Sequence, residues 1–418
     1  MICSKVYNLM EKVSLPNHST SKWPKKKLGD LCEVTRGSSP RPITDPVFFE
    51  NGTIPWVKIA DATKSGKYLY ETKEYVNEYG ASFSRFLPAG TILVAASGTL
   101  GYTQILGVSA CAHDGWLIIQ NLNELDRDYA YYVLHTMQQH FFNNAYGAAI
   151  QNINTAVLRE TEIPYPPFPI QKRIGEVLSA YDALIENNNR RIALLEESMR
   201  LLYREWFVRL RFPGHEHVRV VGGLPEGWER TKLREVASYI NRGISPKYGD
   251  SENRWVINQK CVREGRLNTY LARQHITEHG IDKGVKFGDV LVNSTGIGTL
   301  GRVAQVYEDL ENYTVDSHIT IVRPNKRVEI DYFGLFILGL QSYFDQMGAG
   351  STGQTELSRD SVANADFILP TIELQKEFGN YISSQRQMIQ NLLTQNKKLS
   401  EARDLLLPRL MSGEIDVS

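Results

Sequence analysis

A long heptad pattern constrains the fold of this chain more than any other feature. The pattern runs from Ile174 to Trp206 in alternating steps of four and three residues, and its one polar position is Asn188. Pro169 lies before the pattern and Pro213 after it, so both ends carry helix-stopping residues. The sequence therefore predicts one long helix whose apolar seam needs a partner in water. The seam positions are Ile174, Leu178, Tyr181, Ile185, Asn188, Ile192, Leu195, Met199, Leu202 and Trp206.

The sequence supplies that partner as a second copy of the same helix, 204 residues further along. The pair Gln171-Lys172, which leads into the first copy, recurs as Gln375-Lys376 under the same shift. A repeat of this length indicates that one structural unit is present twice. The corresponding seam positions are Phe378, Ile382, Gln385, Ile389, Leu392, Asn396, Leu399, Arg403, Leu406 and Leu410.

The two seams match best when the helices run antiparallel and opposed residue numbers sum to 584. Asn188 then faces Asn396, and Trp206 faces Phe378. A buried Asn pair costs stability but fixes the register, since a shift of one heptad would place each Asn against an aliphatic residue. We therefore predict a register role for Asn188 and Asn396. The alternative is two unrelated amphipathic helices that pack on separate cores.

The repeat extends into the segments before each long helix. Short helices are predicted to begin near Trp23 and Trp228 and to run into turns at Gly37 and Gly243. Strands are predicted at residues 54–59 and 254–258, and again at 90–94 and 288–292. Aromatic-rich helices are predicted at residues 129–142 and 332–344. The expected fold class is α+β, with two α/β modules joined by a long antiparallel two-helix coiled coil in a pseudo-twofold repeat.

Composition narrows the class of protein without selecting a function. The chain has 418 residues, 42% apolar and 22% charged, which is ordinary for globular domains. Its net charge of zero argues against a polyanion binder on bulk charge but leaves local patches open. The four cysteines form no C-x-x-C motif, which fits a reducing cytoplasm. No apolar run approaches the ~20 residues of a membrane span, so we expect a cytoplasmic protein without membrane contact.

One motif resembles a catalytic metal site. Residues 275–279 match H-x-x-E-H, in which two His ligands bind zinc from one helical face. The corresponding segment of the first half carries Tyr75 and Tyr79 at the ligand positions. The pattern therefore favours a short structural turn of helix. We predict no catalytic residue, no metal ligand and no cofactor bound by this chain.

Polar and basic loop residues are candidates for contact with nucleic acid. Residues 229–286 carry twelve Lys and Arg against seven Asp and Glu, a local excess of positive charge. Side chains of these types donate to phosphates and to base edges. The candidates in the first half are Ser38, Arg41, Lys58, Lys64, Ser97 and Thr99. Those in the second half are Arg242, Lys247, Asn258, Lys260, Arg263, Asn293 and Thr295.

The doubled helix and the segments that lead into it resemble the specificity subunit of type I restriction-modification systems. The most specific stretches are Pro-Tyr-Pro-Pro-Phe-Pro-Ile-Gln-Lys-Arg at 164–173 and Leu-Pro-Thr-Ile-Glu-Leu-Gln-Lys at 369–376. Residues 206–208 and 406–413 are similar to the ends of the family's helices. The second helix departs from the pattern, because its leading segment lacks the repeated prolines of the first. The resemblance therefore does not fix the angle between this helix and the preceding module.

The resemblance implies a division of the chain and a set of partners. Residues 1–167 and 213–370 would be target-recognition domains, and residues 168–212 and 371–418 the two spacer helices. Each domain would recognise one half of a bipartite sequence in double-stranded DNA, and the helix pair would dock two modification subunits. AdoMet binding and methyl transfer to adenine N6 would belong to those subunits, and cleavage to a further restriction and translocase subunit.

The sequence therefore predicts a non-catalytic DNA-recognition subunit with an asymmetric bipartite target. A helix of about 36 residues is about 54 Å long, which would separate two half-sites by some ten to fifteen base pairs. Two alternatives remain open. One is a self-contained DNA-modifying enzyme, and the other is a helical scaffold without DNA contact, which the zero net charge favours.

Overall fold

The computed structural model describes residues 21–62, 66–138, 140–141, 152–250, 253–278, 281–296, 298–348 and 356–417. The chain forms two compact units, which we call unit 1 (Met1–Arg190 with Leu393–Ser418) and unit 2 (Arg191–Leu392). Each unit thus contains part of each long helix. The domain boundaries inferred from the sequence follow individual elements rather than this division, and they stay a prediction.

The strands of unit 1 are short and are built mainly from apolar and β-branched residues, which suit a pleated, half-buried surface. They are β1 (Lys25–Lys27), β2 (Glu33–Arg36), β3 (Ile54–Val57), β4 (Tyr68–Leu69), β5 (Tyr75–Val76), β6 (Arg85–Leu87), β7 (Ile92–Ala95), β8 (Thr103–Leu106), β9 (Ala110–Ala112), β10 (Trp116–Gln120) and β11 (Glu162–Pro164). One sheet has the order β2-β10-β7-β8-β4 and another the order β5-β3-β9-β6. The pair β1-β11 lies where the domain leads into the long helix.

Unit 2 repeats the central part of this topology. Its strands are β12 (Val220–Val221), β13 (Leu224–Pro225), β14 (Glu229–Lys232), β15 (Ala237–Arg242), β16 (Trp255–Ile257), β17 (Val262–Arg263), β18 (Arg266–Leu267), β19 (Arg273–Gln274), β20 (Val290–Asn293), β21 (Val303–Gln305), β22 (Tyr313–Val315), β23 (Ile319–Pro324) and β24 (Asp366–Leu369). The sheet β15-β23-β20-β21 corresponds to β2-β10-β7-β8. The parallel pair β16-β22 corresponds to the parallel pair β3-β9.

The helices fall into two groups, the short helices of each domain and the two long ones. In chain order they are α1 (Ile59–Ala62), α2 (Glu78–Ser82), α3 (Arg127–Thr136), α4 (Thr155–Glu160), α5 (Phe168–Tyr203), α6 (Leu233–Val236), α7 (Ile330–Gly339), α8 (Gln341–Met347), α9 (Arg359–Ala363) and α10 (Ile372–Ser412). Short 3-10 turns lie at Leu28–Asp30, Pro46–Phe48, His215–His217, Gln259–Cys261, Thr269–Leu271 and Ile281–Lys283. No helix in the described ranges is long and apolar enough to span a membrane.

The predicted helix near the start of each module is only partly correct. In unit 1 a 3-10 turn at Leu28–Asp30 is followed by β2 before the loop begins, and in unit 2 a single turn, α6, is followed by β15. Strands replace most of the expected helix because β2 and β15 pair with β10 and β23. The strands predicted near residues 54, 90, 254 and 288 are confirmed with shifted ends.

The long helices also end differently from the prediction. After α5 the chain makes a π-helical turn at Arg204–Val208, in which the Arg209 N–H donates to the Arg204 carbonyl at 2.8 Å. Leu210 then takes a left-handed conformation with φ of 56°, which ends the helix before residue 212. The second helix, α10, continues through Pro408 and ends at Gly413, whose φ of 75° is typical of a helix terminus.

The halves of the two long helices run antiparallel within each unit. In unit 1 the side chains of Ile174, Leu178, Leu407 and Leu410 belong to one buried cluster. In unit 2 the rings of Trp206 and Phe378 lie 5.7 Å apart. The predicted class, α+β with two α/β modules and a long antiparallel helix pair, is confirmed.

The two asparagines of the seam are in direct contact. The Asn188 side-chain amide donates to Asn396 Oδ1 at 2.9 Å, and Asn396 in turn donates to Asn189 Oδ1 at 2.8 Å. Asn188 is buried, so these bonds satisfy polar atoms that would otherwise cost free energy. Whether the pair sets the helix register stays a prediction.

A fully buried glutamine joins each domain to its long helix. Gln171 Oε1 accepts from the Asp126 N–H at 3.0 Å, and its amide donates to the Pro166 carbonyl at 2.9 Å. Gln375 makes the same two bonds to Glu329 and Pro370, at 2.9 and 2.8 Å. Because Asp126 and Glu329 cap α3 and α7, these contacts fix a domain helix to the start of each long helix. They account for the repeated glutamine of the Gln-Lys motif.

Candidate nucleic-acid interface

The candidate loops of each unit meet at one edge of its main sheet. In unit 1, β2 and β10 are antiparallel neighbours, so the loop after Arg36 lies beside the loop before Trp116. Strand β7 also pairs with β10, and the segment after Ala95 reaches the same edge. Topology thus brings together loops that are far apart in the sequence. We call these loops, with the end of β3, the loop cluster of unit 1.

Equivalent backbone contacts build a loop cluster in unit 2. The Gly37 N–H donates to the Trp116 carbonyl at 2.9 Å, and the Gly243 N–H donates to the Ile319 carbonyl at 3.2 Å. A Cβ atom at Gly37 would lie 2.2 Å from the His113 carbonyl oxygen, and one at Gly243 would lie 1.8 Å from that of Val315. Glycine is therefore required at both turns for close backbone approach.

Arg41 is held against the neighbouring loop by a carboxylate. Its guanidinium forms an ion pair with Asp114, which also lies 3.0 Å from His113 Nδ1. Arg36 Nε donates to the Asp114 carbonyl at 2.7 Å, and the Asp114 N–H donates to Ser39 Oγ at 3.2 Å. The loop after β2 and the loop before β10 are thus joined by an ion pair and by hydrogen bonds.

Lys58 lies in the same cluster with an acidic and an aromatic partner. Its ammonium is 2.5 Å from Glu74 Oε1 and 4.7 Å from the centre of the Trp56 ring. The Trp56 ring also lies 5.3 Å from the ring of His113. Burial lowers the pKa of His113, and the Asp114 carboxylate acts in the opposite direction. Arg41 and Lys58 are therefore brought together around His113, as parts of one surface.

The remaining candidates of unit 1 have smaller roles. Ser97 and Thr99 follow β7 and are half-buried, and the Thr99 carbonyl accepts from the Tyr102 N–H at 3.1 Å. The Ser38 carbonyl accepts from Ser84 Oγ at 2.7 Å. Lys64 lies outside the described residues.

Arg242 and Thr295 are brought together in unit 2. Arg242 forms an ion pair with Glu356, and its Nη2 donates to the Leu357 carbonyl at 2.9 Å. Residues Thr295 and Glu356 form a β-bridge. The Thr295 hydroxyl lies 2.9 Å from His318 Nδ1. Arg242, Thr295, Glu356 and His318 thus lie together in the loop cluster of unit 2.

Gln259 ties the end of β16 to this cluster, and two asparagine candidates have structural contacts. Gln259 Nε2 donates to the carbonyl and hydroxyl oxygens of Thr295, each at 2.5 Å. Asn258 accepts from the Lys260 N–H at 3.0 Å and donates to the Leu271 carbonyl at 2.9 Å. Asn293 is fully buried and donates to the Gln259 carbonyl at 3.1 Å. Asn293 therefore has a structural contact inside the unit rather than an exposed side chain.

The three remaining basic candidates of unit 2 are exposed. The Lys247 main-chain N–H donates to Thr277 Oγ1 at 2.7 Å, which fixes the backbone at this residue. Arg263 lies 3.5 Å from the neighbouring Glu264 carboxylate. Lys260 lies in the 3-10 turn that follows β16. These side chains have the solvent access that a contact with DNA requires.

Sequence reasoning missed the acidic and imidazole members of both clusters. Asp114, His113, Glu356 and His318 come from segments that carry no repeated motif. The repeated Arg-Gly turn at 36–37 and 242–243 was the signal that could have located these loops. It marks the equivalent end of β2 and of β15, where the loop clusters form. Their loop partners become visible only when strand neighbours are known.

The described part of the H-x-x-E-H segment, residues 275–278, does not form the expected turn of helix. His275 forms a β-bridge with Tyr248 and is fully buried, and residues 276–278 carry no regular secondary structure. His279 lies outside the described residues. Zinc ligands at this spacing need one helical face, which the described segment lacks. Within the described ranges, no group of three or more His, Cys, Asp and Glu residues could hold a metal ion.

The fold and its paired loop clusters define a chain with two equivalent domains and a shared helical element. The family model described as type I restriction modification DNA specificity domain matches the chain twice, over residues 20–197 and 225–401. The chain belongs to this family.

Individual relatives agree with that assignment. The chain is similar to the type I restriction enzyme MjaIX specificity subunit of Methanocaldococcus jannaschii, with 24% identity over 94% of each chain. The MjaVIII specificity subunit of the same organism is 22% identical over 94% of this chain and 93% of that protein. The crystal structure of a type I restriction-modification S subunit from M. genitalium has a TM-score of 0.56 at 20% identity. That match covers 95% of this chain and 98% of the other, and it supports the fold.

Proposed function

We propose that this chain is the DNA-recognition subunit of a type I restriction-modification complex. The observation that carries the proposal is the duplicated loop cluster, one in each copy of the specificity domain. Each cluster would contact one half of a bipartite target in double-stranded DNA. The long helices would dock two modification subunits, and a restriction and translocase subunit would join the complete complex.

The chemistry of the clusters supports a DNA ligand. Their cations are held by carboxylates that are partly exposed, as in the pairs Arg41–Asp114 and Lys58–Glu74. Exposed ion pairs contribute only about 0–1 kcal/mol, so DNA can compete for these cations at little cost. The zero net charge of the chain is therefore compatible with local DNA binding.

The clusters also support an asymmetric target. Unit 1 presents Arg41, Lys58 and His113, whereas unit 2 presents Gln259, Thr295 and His318 around Arg242. Because Arg and Lys favour guanine and Gln favours adenine, unlike clusters select unlike half-sites. AdoMet and the methyl-transfer chemistry are expected on the modification subunits, and this chain would be non-catalytic.

A gel-shift experiment on the complex of this chain with its modification subunits tests the proposal. The probe is a duplex that carries the bipartite target, and two matched duplexes carry one scrambled half-site each. We expect each scrambled half-site to weaken binding at least tenfold, and affinity to fall as salt increases. Equal affinity for all three duplexes would contradict sequence recognition. Binding that does not respond to salt would favour the scaffold alternative.

A second measurement separates recognition from catalysis. The isolated chain is incubated with target DNA and radiolabelled AdoMet, and methyl transfer is compared with that of the assembled complex. We expect transfer only from the complex. Transfer by the isolated chain would favour the self-contained enzyme.

A further inference from the structure

Arg41 differs from the other arginine of the candidate set that is paired within a loop cluster. Its side chain is 67% exposed although its guanidinium is paired with Asp114. The Arg242 side chain is 27% exposed, and its guanidinium is used by Glu356 and by the Leu357 carbonyl. Arg41 is therefore oriented by its partner but remains accessible, whereas the Arg242 guanidinium is occupied by contacts within unit 2.

Asp114 is oriented just as firmly. Its main chain is fixed on both sides, since Arg36 binds its carbonyl oxygen and its N–H donates to Ser39 Oγ. Its carboxylate is 30% exposed, so oxygen lone pairs remain available beside Arg41. The two side chains thus present a forked donor next to an acceptor, in a fixed arrangement at the edge of the sheet.

This arrangement disfavours a simple phosphate contact. A carboxylate next to the guanidinium repels a phosphate group, and it has no hydrogen to donate to phosphate oxygens. The major-groove edge of a G·C pair offers both complementary groups. Guanine O6 and N7 accept from an Arg fork, and the N4 amino group of cytosine donates to Asp.

We propose that Arg41 and Asp114 together recognise one G·C base pair in the half-site bound by unit 1. The inference rests on the proposed function, and it names the specificity-determining residues of one cluster. Arg41 contacts guanine, and Asp114 accepts from the cytosine of the same or the adjacent pair.

Unit 2 has no equivalent pair. Matching the backbone contacts of Gly37 and Gly243 places Lys247 at the position of Arg41 and Ser317 at that of Asp114. A lysine lacks the planar fork, and a serine carries no charge. The G·C contact is therefore assigned to a single half-site, and its loss leaves the other half-site unchanged.

Methylation mapping tests the proposal with the complete complex. Cells that carry the chain with its modification subunits are compared with cells that carry Arg41→Ala, Arg41→Lys or Asp114→Asn. Methylated adenines are mapped across the genome, and the sequence preference at each target position is extracted. Lys27→Ala is the matched control, because it removes another exposed ion pair of unit 1, that with Glu160.

Arg41→Ala is expected to lose preference for guanine at one position, by about 10- to 100-fold. Arg41→Lys is expected to lose part of that preference, because lysine keeps the charge but lacks the planar fork. Asp114→Asn is expected to relax the same or the adjacent position, and Lys27→Ala to leave the motif unchanged. Thermal melting should show all four variants folded, because each change is at the surface.

Three results would overturn the proposal. The first is a wild-type motif without G·C in the half-site of unit 1, and the second is an unchanged motif in the folded Arg41 variants. The third is full guanine preference in Arg41→Lys together with uniformly weaker methylation in Arg41→Ala, which would identify a phosphate contact. If the wild-type chain directs methylation to no bipartite motif, the proposed function fails as well. An unchanged bipartite motif in the variants refutes only the role of Arg41 and Asp114.

Discussion

The two units attach a long helix to its domain with different arrangements of charge. In unit 1, the domain helix α3 and the long helix α5 each contribute an acid to this attachment, Asp128 and Asp182. Lys67 lies 2.5 Å from Asp128 and donates to Ser179 at 2.6 Å, and Arg403 of α10 lies 2.5 Å from Asp182. Two cations from elsewhere in the chain therefore compensate two acids.

Unit 2 achieves the same attachment with a direct pair. Asp331 occupies the position of Asp128 in α7, and Arg386 occupies the position of Asp182 in the long helix. The two form an ion pair, and the Tyr307 hydroxyl donates to Asp331 at 3.2 Å. A cation on the helix thus replaces the bridging cations of unit 1.

The surroundings of the two pairs differ as well. A cavity of about 230 Å³ in unit 1 is lined by Lys67, Tyr131, Asp182 and Arg403, among others. In unit 2, Gly334 takes the position of Tyr131, and Gln305 packs against it. A Cβ atom at Gly334 would lie 1.6 Å from Gln305 Oε1. A glutamine in unit 2 therefore packs where the tyrosine of unit 1 borders a cavity.

The comparison shows which features the duplicated unit keeps. Two hydrogen bonds of Gln171 recur at Gln375, and the hydroxyl bonds of Tyr129 and Tyr332 to main-chain carbonyls are the same in both units. The charged contacts differ, but in both units the acids of this attachment have a cation beside them. A buried charge has to be matched, and the position of its partner in the sequence is free.

The largest expected difference between the units comes from removing one cation in each. Arg386→Met leaves the Asp331 carboxylate, which is 2% exposed, with Tyr307 alone, and we expect the free energy of unfolding to fall by about 3 kcal/mol. Lys67→Met leaves Asp128, which is 24% exposed, with Arg127 at 3.0 Å, and we expect the free energy of unfolding to fall by about 1 kcal/mol. Hydrogen exchange in α7 and α3 measures the two losses separately.

Two further variants provide the controls for this difference. Asp331→Asn together with Arg386→Met should recover most of the loss, because no uncompensated charge remains buried. Lys172→Met removes a cation from the exposed surface of α5 and should leave exchange unchanged. Equal losses for Arg386→Met and Lys67→Met would show that the direct and bridged arrangements do not differ in stability.

The shared contacts should instead give matched effects. Gln171→Ala and Gln375→Ala each remove the two hydrogen bonds that the units share from a fully buried site, and Gln171→Ala removes a third, to the Glu124 carbonyl at 3.2 Å. We expect the free energy of unfolding to fall by about 2 kcal/mol in either unit. Hydrogen exchange at the N-terminal ends of α3 and α7 reports the two effects. Gln387→Ala, at an exposed position of α10, should have no effect. A large loss in one unit alone would contradict the equivalence of the two attachments.

The smallest expected effect concerns the asparagine pair of unit 1. Asn188→Leu with Asn396→Leu should stabilise the helix pair by about 1 kcal/mol, because apolar residues replace a buried polar pair. The same change should loosen the register. Asn188→Leu alone should loosen it as well, and comparison with the double variant separates pairing from simple stabilisation.

Disulfide trapping measures the register of that double variant. Cysteines at 185 and 399 report the observed alignment, and cysteines at 185 and 406 report a shift of one heptad, after the native cysteines are replaced. We expect only the first disulfide in the parent chain and both in the double leucine variant. A single disulfide register in the double variant would speak against the asparagines as a register device.

Local periodicity made the long helices predictable from the sequence. The seam of α5 and α10 depends on residues three and four apart. Its second copy, 204 residues along the chain, supports the same helix prediction independently. The ends were less predictable, since a left-handed Leu210 stops one helix and Pro408 does not stop the other. Contacts such as Lys67 with Asp128 join residues 61 positions apart and leave no periodic trace.

The candidate interface was predictable in part for the same reason. Arg41 and Arg242 lie at the repeated turns, Lys58 and Thr295 lie at strand-like segments of the repeat, and the structure brings them together within each unit. Their partners lie on loops whose proximity depends on strand order, as for Asp114 before β10. The polarity of Asn293 predicts a contact with DNA, yet the pairing of β20 buries its side chain.

The central claim is that each half of this chain recognises its own half of a bipartite DNA sequence. Replacing residues 1–167 with the same region of another family member, followed by genome-wide mapping of methylated adenines, tests it most directly. The account predicts that one half of the methylated motif changes completely while the other half is retained. A motif that stays whole, or one that changes in both halves, would contradict the account.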